Sequence, residues 1–204
     1  MNAFVAAATA IAIGNAASGA QPRDTVRVEI GHGSQVWIEG SSNVVDWRCK
    51  ATAFDARVEF EPSADGDRNI GSALRTIRVS VAVRDLKCGN GRMERDLYAA
   101  LRATDPERPA YILGRFDVIV DSSGGADLAT RGPLTVAGVE RTVNVPVTTV
   151  RETDGAIRAR GAVSMLMTDF GIKPPVGLFG LIRSRNEITV KFDLIVPART
   201  IVLR

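Results

Sequence analysis

Cys49, Cys88 and His32 are the side chains of this sequence best suited to chemistry, and their spacing limits what they can do. His32 is the single histidine and stands in Gly31-His32-Gly33. That setting reads as a solvated turn between strands, with no neighbouring constellation to make it a general base. The two cysteines lack a Cys-x-x-Cys spacing, and His32 alone could join them, so no metal site is expected. Asp65 and Asp67 sit in a polar stretch, without the regularly spaced oxygen ligands of a calcium loop. No nucleophile elbow, phosphate loop or dinucleotide fingerprint occurs. The chain is therefore expected to be no enzyme, and to need neither cofactor nor metal.

Thr168-Asp169-Phe170-Gly171 has two readings. Thr168 and Asp169 could present polar groups at a pocket mouth above Phe170. Alternatively, Thr and Asp cap a turn, Phe170 buries, and Gly171 supplies a positive φ. After it, Pro174-Pro175 stiffens a loop that carries Leu178, Phe179, Leu181 and Ile182. That apolar cluster either seals a core or forms a lid over a cavity.

The elements that must position these residues are mostly strands. Val26, Val28 and Ile30 alternate with charged neighbours, as do Ile77, Val79, Val81 and Val83, then Val143, Val145 and Val147, and finally Ile188, Val190, Phe192 and Leu194. A period of two gives strands with one buried and one wet face. Strands are predicted near 25–30, 35–40, 46–60, 75–85, 110–120, 127–136, 142–150, 156–167 and 186–196. Asp65-Gly66 and Gly124-Gly125 mark loops and Ala137-Gly138 fits a tight hairpin turn, an antiparallel all-β layout. Pro146 marks an edge, bulge or strand junction. One helix is expected: Asn90 can cap it, and Met93, Leu97 and Leu101 recur on one face. It either packs outside a sheet or plugs a barrel mouth. An eight-stranded barrel has an interior that side chains can fill or that can hold one ligand. Small inward Ala51, Ala159 and Gly161 favour room.

The chain has 204 residues, 45% of them apolar, which suits one core-forming domain. Its 26 basic and 23 acidic side chains nearly cancel, so nucleic acid is not an expected partner. Residues 3–14 are small and apolar, and Ser18-Gly19-Ala20 precedes Gln21. This pattern predicts a secretory signal over 1–20, too short to span a bilayer, and a mature domain over 21–204 in the periplasm or medium. An even cysteine count in an exported chain points to a Cys49–Cys88 disulfide, with two buried free thiols as the other reading.

Several ordered pieces carry a family resemblance: Glu39–Val44, Trp47–Cys49, Val81–Leu86, the Met93–Leu101 helix, Gly132–Val139 and Met167–Pro175. Together they resemble the YceI-like family of lipid/polyisoprenoid-binding proteins across residues 36–196. The segment 106–109 departs from the family pattern, and the two cysteine pieces look like a branch with its own disulfide. The resemblance implies an all-β chain with one or two short helices, folded as an extended lipocalin-like antiparallel β-barrel. It implies an exported protein that binds or sequesters an apolar lipid, an isoprenoid or fatty-acyl chain. Joined to the strand phase, it gives an expected lining of Val79, Val81, Phe116, Val118, Val145, Met165, Val190 and Phe192. Leu97 and Leu101 join from the helix, and Phe170 and Phe179 from the loop. The alternative is a structural or partner-binding barrel with a packed core.

Overall fold

Alternation along the chain produces one curled antiparallel sheet. The computed structural model describes residues 25–26, 31–60, 74–105, 107–119 and 127–197. The predicted signal segment and the loops at 65–66 and 124–125 lie outside the described residues. The strands are β1 (Thr25–Val26), β2 (Gln35–Ser42), β3 (Asp46–Ala51), β4 (Asp55–Phe60), β5 (Leu74–Ala82), β6 (Leu86–Lys87), β7 (Tyr111–Ile119), β8 (Asp127–Val136), β9 (Val139–Arg151), β10 (Ile157–Leu166), β11 (Val176–Gly177) and β12 (Ile182–Val196). One helix, α1 (Gly91–Ala100), stands between β6 and β7.

The pairing order is β1-β4-β5-β7-β8-β9-β10-β12-β2-β3-β6, with β11 attached to β12. β5 and β6 lie towards opposite ends of this order, yet a single 3-10 turn at Val83–Asp85 joins them in the chain. The sheet must therefore curl round to meet itself, which makes a lipocalin-like barrel of it. β3 and β4 were expected as one strand over 46–60. They are two, because Thr52 leaves the ladder: its backbone N–H and its hydroxyl both donate to the Asp85 carbonyl, at 2.8 and 3.0 Å. Pro146 marks a junction, since the β9–β10 ladder ends at Val147 paired with Gly161. The β8–β9 hairpin turns through Ala137 and Gly138 at φ 51° and 80°, the mirror-image geometry that matches strand twist.

The inward phase is the predicted one. Val81 and Val145 are buried, while Arg78 pairs with Glu59 outside and Lys191 with Glu39. One correction concerns Gly161. A Cβ there would lie 2.3 Å from the Phe192 ring, so the glycine accommodates its cross-strand partner and leaves no free volume. Gly40 makes the same allowance for Trp47.

Outside, polar groups form two networks. Glu39 accepts from Trp37 Nε1 at 2.9 Å and pairs with Lys191 at 2.6 Å and with Arg48, whose guanidinium also lies 5.9 Å from the Trp37 ring centre. The Lys191 contact, then the Trp37 donor, hold the Glu39 carboxyl down at about 2. Asp193 is lowered too, first by Arg158, which grips it with two bonds of 2.7 and 2.8 Å, and then by Arg160. Single exposed pairs contribute little, so these act as networks. A depressed carboxyl stabilises the fold fully above its unfolded value and loses that contribution as pH falls through the folded value. For Glu39 the window runs from 4.5 down to about 2. Glu39→Gln should therefore be less stable than wild type in urea at pH 6, with the gap closing as pH approaches 2. A gap independent of pH would show that the carboxylate network is not its source.

Candidate functional site

The inward faces enclose a cavity of about 520 Å³. Its walls come from β2, β3, β4, β5, β7, β8, β9, β10, β11 and β12, and Ile182, Ile188, Val190, Phe192 and Leu194 mark its length along β12. That run corresponds to a contour of roughly 40 Å along the strand. Val79, Ile112, Phe116, Val163, Val190 and Phe192 point inward but are not fully buried. A core packed side chain against side chain would bury them. The interior is therefore open along these residues. Val81, Val83, Leu86, Ala103 and Phe170 are the most deeply buried members of the main cluster.

α1 borders the same cavity through Met93, Leu97 and Ala100, followed by Leu101. Of its two expected positions it takes the mouth. Its local sequence explains why it forms there. The Asn90 side chain accepts from the N–H groups of Arg92 and Met93, at 3.0 and 3.2 Å, which satisfies donors that a first helical turn leaves unpaired. Tyr98 ties the helix back to the sheet, donating to the Leu86 carbonyl at 3.0 Å and accepting from Lys87 at 2.9 Å. That contact with Tyr98, more than any other, raises the Lys87 ammonium above its usual range. Glu94 accepts from the Cys88 N–H at 3.0 Å. Cys88 itself is bonded to Cys49 on β3, with Cα atoms 4.0 Å apart, so the expected disulfide forms and Cys49 is fully buried. Helix, disulfide and strand edge thus make one unit at the mouth.

The opposite lip is built by the 168–184 segment. Met167–Phe170 is a 3-10 turn closed by Gly171 at φ 67°. Thr168 donates its N–H to Asn186 Oδ1 at 3.1 Å, and its hydroxyl accepts from Asn186 Nδ2 at 2.8 Å. Asp169 is exposed and Phe170 is 2% exposed. Phe170 buries and Gly171 supplies the positive φ, as the turn reading expects, but Asn186 and not a Thr168 or Asp169 side chain bonds the turn's backbone, and Phe170 also reaches the cavity wall.

Polar lining groups concentrate at the mouth. Ser42, Asn90, Arg92, Asp96 and Ser184 border the cavity there, beside Val45, Pro175 and Gly177. Thr130, deeper in, donates its hydroxyl to the Val145 carbonyl at 2.8 Å and is thereby satisfied. Trp47 Nε1 is buried without a partner among the described residues. The arrangement suits an amphiphile: a long apolar channel with polar side chains at one end.

Most of the predicted lining residues border the cavity: Val79, Val81, Leu97, Leu101, Phe116, Val145, Met165, Phe170, Val190 and Phe192. Two do not. Val118 has the right phase but lies lower, against the second cluster of Leu128, Val145 and Val147. Phe179 is wrong in direction. It adopts φ 54° between Leu178 and Gly180, and that backbone turns its ring fully into solvent at 107% relative exposure. Gly161 and Ala51, expected to leave room, are absent from the wall, whereas Ala159 is part of it. The mouth residues Ser42, Asn90, Arg92, Asp96 and Ser184 were missed, because no pattern in the chain links a helix start to two distant strand ends.

No protein-family model matches the chain, and no curated protein matches it in sequence. Solved structures do match in shape. BcnA of Burkholderia cenocepacia superposes with a TM-score of 0.60 at 18% identity, covering 80% of this chain and 96% of that one. A polyisoprenoid binding domain from Saccharophagus degradans, implicated in plant cell wall breakdown, gives 0.57 at 11% identity, over 86% of this chain and 99% of that one. The YceI protein of Campylobacter jejuni gives 0.52 at 13% identity, over 76% and 83%. The chain has a YceI-like fold.

Proposed function

We propose that this protein is an exported, non-enzymatic binder of one long apolar chain, an isoprenoid tail first and a fatty-acyl chain second. The observation that carries the reading is the channel: about 520 Å³, apolar along its length, with polar side chains at the mouth. Ligand pockets commonly span about 300–1,000 Å³, so the size is suitable. The likeness of fold to a polyisoprenoid binding domain supports the ligand class. The disulfide supports an oxidising compartment, and with it export of the chain after removal of residues 1–20. The tail would lie along Val79, Val190 and Phe192. The head would meet Arg92, Asp96 and Ser184.

A chain-length series tests this. Burial is worth about 0.8 kcal/mol per methylene, so affinity should rise roughly fourfold for each added methylene until the channel is full, then level off. The readout is calorimetric titration of delipidated protein with polyprenyl and acyl amphiphiles. Co-extracted lipid in mass spectra of freshly purified protein is expected as well. Absence of binding across both series would end the carrier reading, and N-terminal sequencing of exported material that returned Met1 would end the export reading.

A further inference from the structure

Beside the mouth, large apolar side chains are turned outward. Phe179 is 107% exposed and Leu181 74%, with Val176, Val44 and Val45 also exposed beside them. They form one lip: the Asn43 side chain donates to the Leu181 carbonyl at 2.8 Å, and the Arg183 N–H donates to Asn43 Oδ1 at 2.8 Å. Contiguous exposed apolar surface on this scale marks an interaction site. The 172–185 flank is cationic, whereas exposed Asp46 follows Val45 on the other side of the lip. Between residues 172 and 185 stand Lys173, Arg183 and Arg185, all exposed, and no acidic residue. Phe179 holds a left-handed backbone that a bulky side chain rarely adopts, so the loop keeps the ring outward at a conformational cost. Arg183 Nε donates to the Gly180 carbonyl at 3.1 Å, bracing that turn.

We propose that this lip docks on the surface of an anionic lipid bilayer. An apolar tip with basic shoulders is the arrangement that inserts at the headgroup boundary while its cations meet lipid phosphates. Val45, Pro175, Gly177 and Ile182 line the channel from the same lip, so docking brings the mouth to the membrane. The surface then serves as the entry and exit route of the channel. The inference does not depend on what occupies the channel, because the docking residues Phe179, Leu181 and Lys173 lie outside its lining.

The test is co-sedimentation of the full protein with phosphatidylcholine vesicles, with and without phosphatidylglycerol and free of isoprenoid. Wild type should sediment with the anionic vesicles, and about 0.5 M salt should release it, because added ions screen the cations. Phe179→Ser/Leu181→Ser and, separately, Lys173→Glu/Arg185→Glu should each weaken sedimentation at least tenfold, with circular dichroism unchanged. Wild type remaining in the supernatant, or either variant sedimenting like wild type, would overturn the proposal. So would a wild-type dimer in sedimentation velocity that Phe179→Ser/Leu181→Ser splits, because a second copy would then cover the lip.

Discussion

Cys49→Ala/Cys88→Ala should lower the unfolding free energy by about 4 kcal/mol, the loop-closure term for the 39-residue separation of the pair. In a chain of this size that corresponds to a fall in melting temperature of roughly 10 °C. The loss should be concentrated at the mouth. β6 pairs with β3 through two residues, Leu86 and Lys87, so without the disulfide the entry to α1 is held by this short ladder, by the hydrogen bonds of Tyr98 and Glu94 and by the packing of Leu97 and Leu101. Hydrogen exchange should quicken in α1 and β6 before the β8–β9–β10 sheet. Thermal scans with and without reductant measure the first effect: reduced wild type should approach the double variant. If reductant leaves wild type unchanged and the variant melts at the same temperature, the disulfide contributes no stability.

How much of this was legible in the chain follows from the range of the interactions involved. Alternation is local, so the long strands and their phase were readable, and the cap at Asn90 with Met93, Leu97 and Leu101 marked α1. β6 and β11 are two residues each, too short to show a period. The break at Thr52 depends on the Asp85 carbonyl, a partner far along the chain. Gly161 was misjudged because its space belongs to Phe192 across the β10–β12 register, and register is a tertiary fact. Phe179 was read as apolar and therefore inward. Its φ reverses that, and a positive φ at phenylalanine has no sequence signal. Whether the barrel is hollow was beyond any pattern, since it depends on the sum of all inward volumes.

Val163→Trp distinguishes the hollow barrel from the packed one. Val163 lies on β10 opposite Val190 on β12, and both face the channel without being fully buried. An indole at 163 would occupy the space where a ligand chain must pass. Displacing about four methylenes at about 0.8 kcal/mol each would weaken lipid binding by roughly two orders of magnitude. Stability should move the other way or not at all, because added apolar atoms would fill open volume and gain contacts. A packed interior predicts the opposite pair of results: overpacking typically costs about 1–3 kcal/mol, and there is no ligand to lose. Val81→Arg would not separate the two. Val81 is 4% exposed within the main apolar cluster, and an unpaired charge there would unfold either barrel. The decisive measurements are the urea midpoint and the lipid titration of Val163→Trp together. Loss of binding with an unchanged or raised midpoint is expected. A lowered midpoint with unaltered binding would show that the channel is not where the ligand sits.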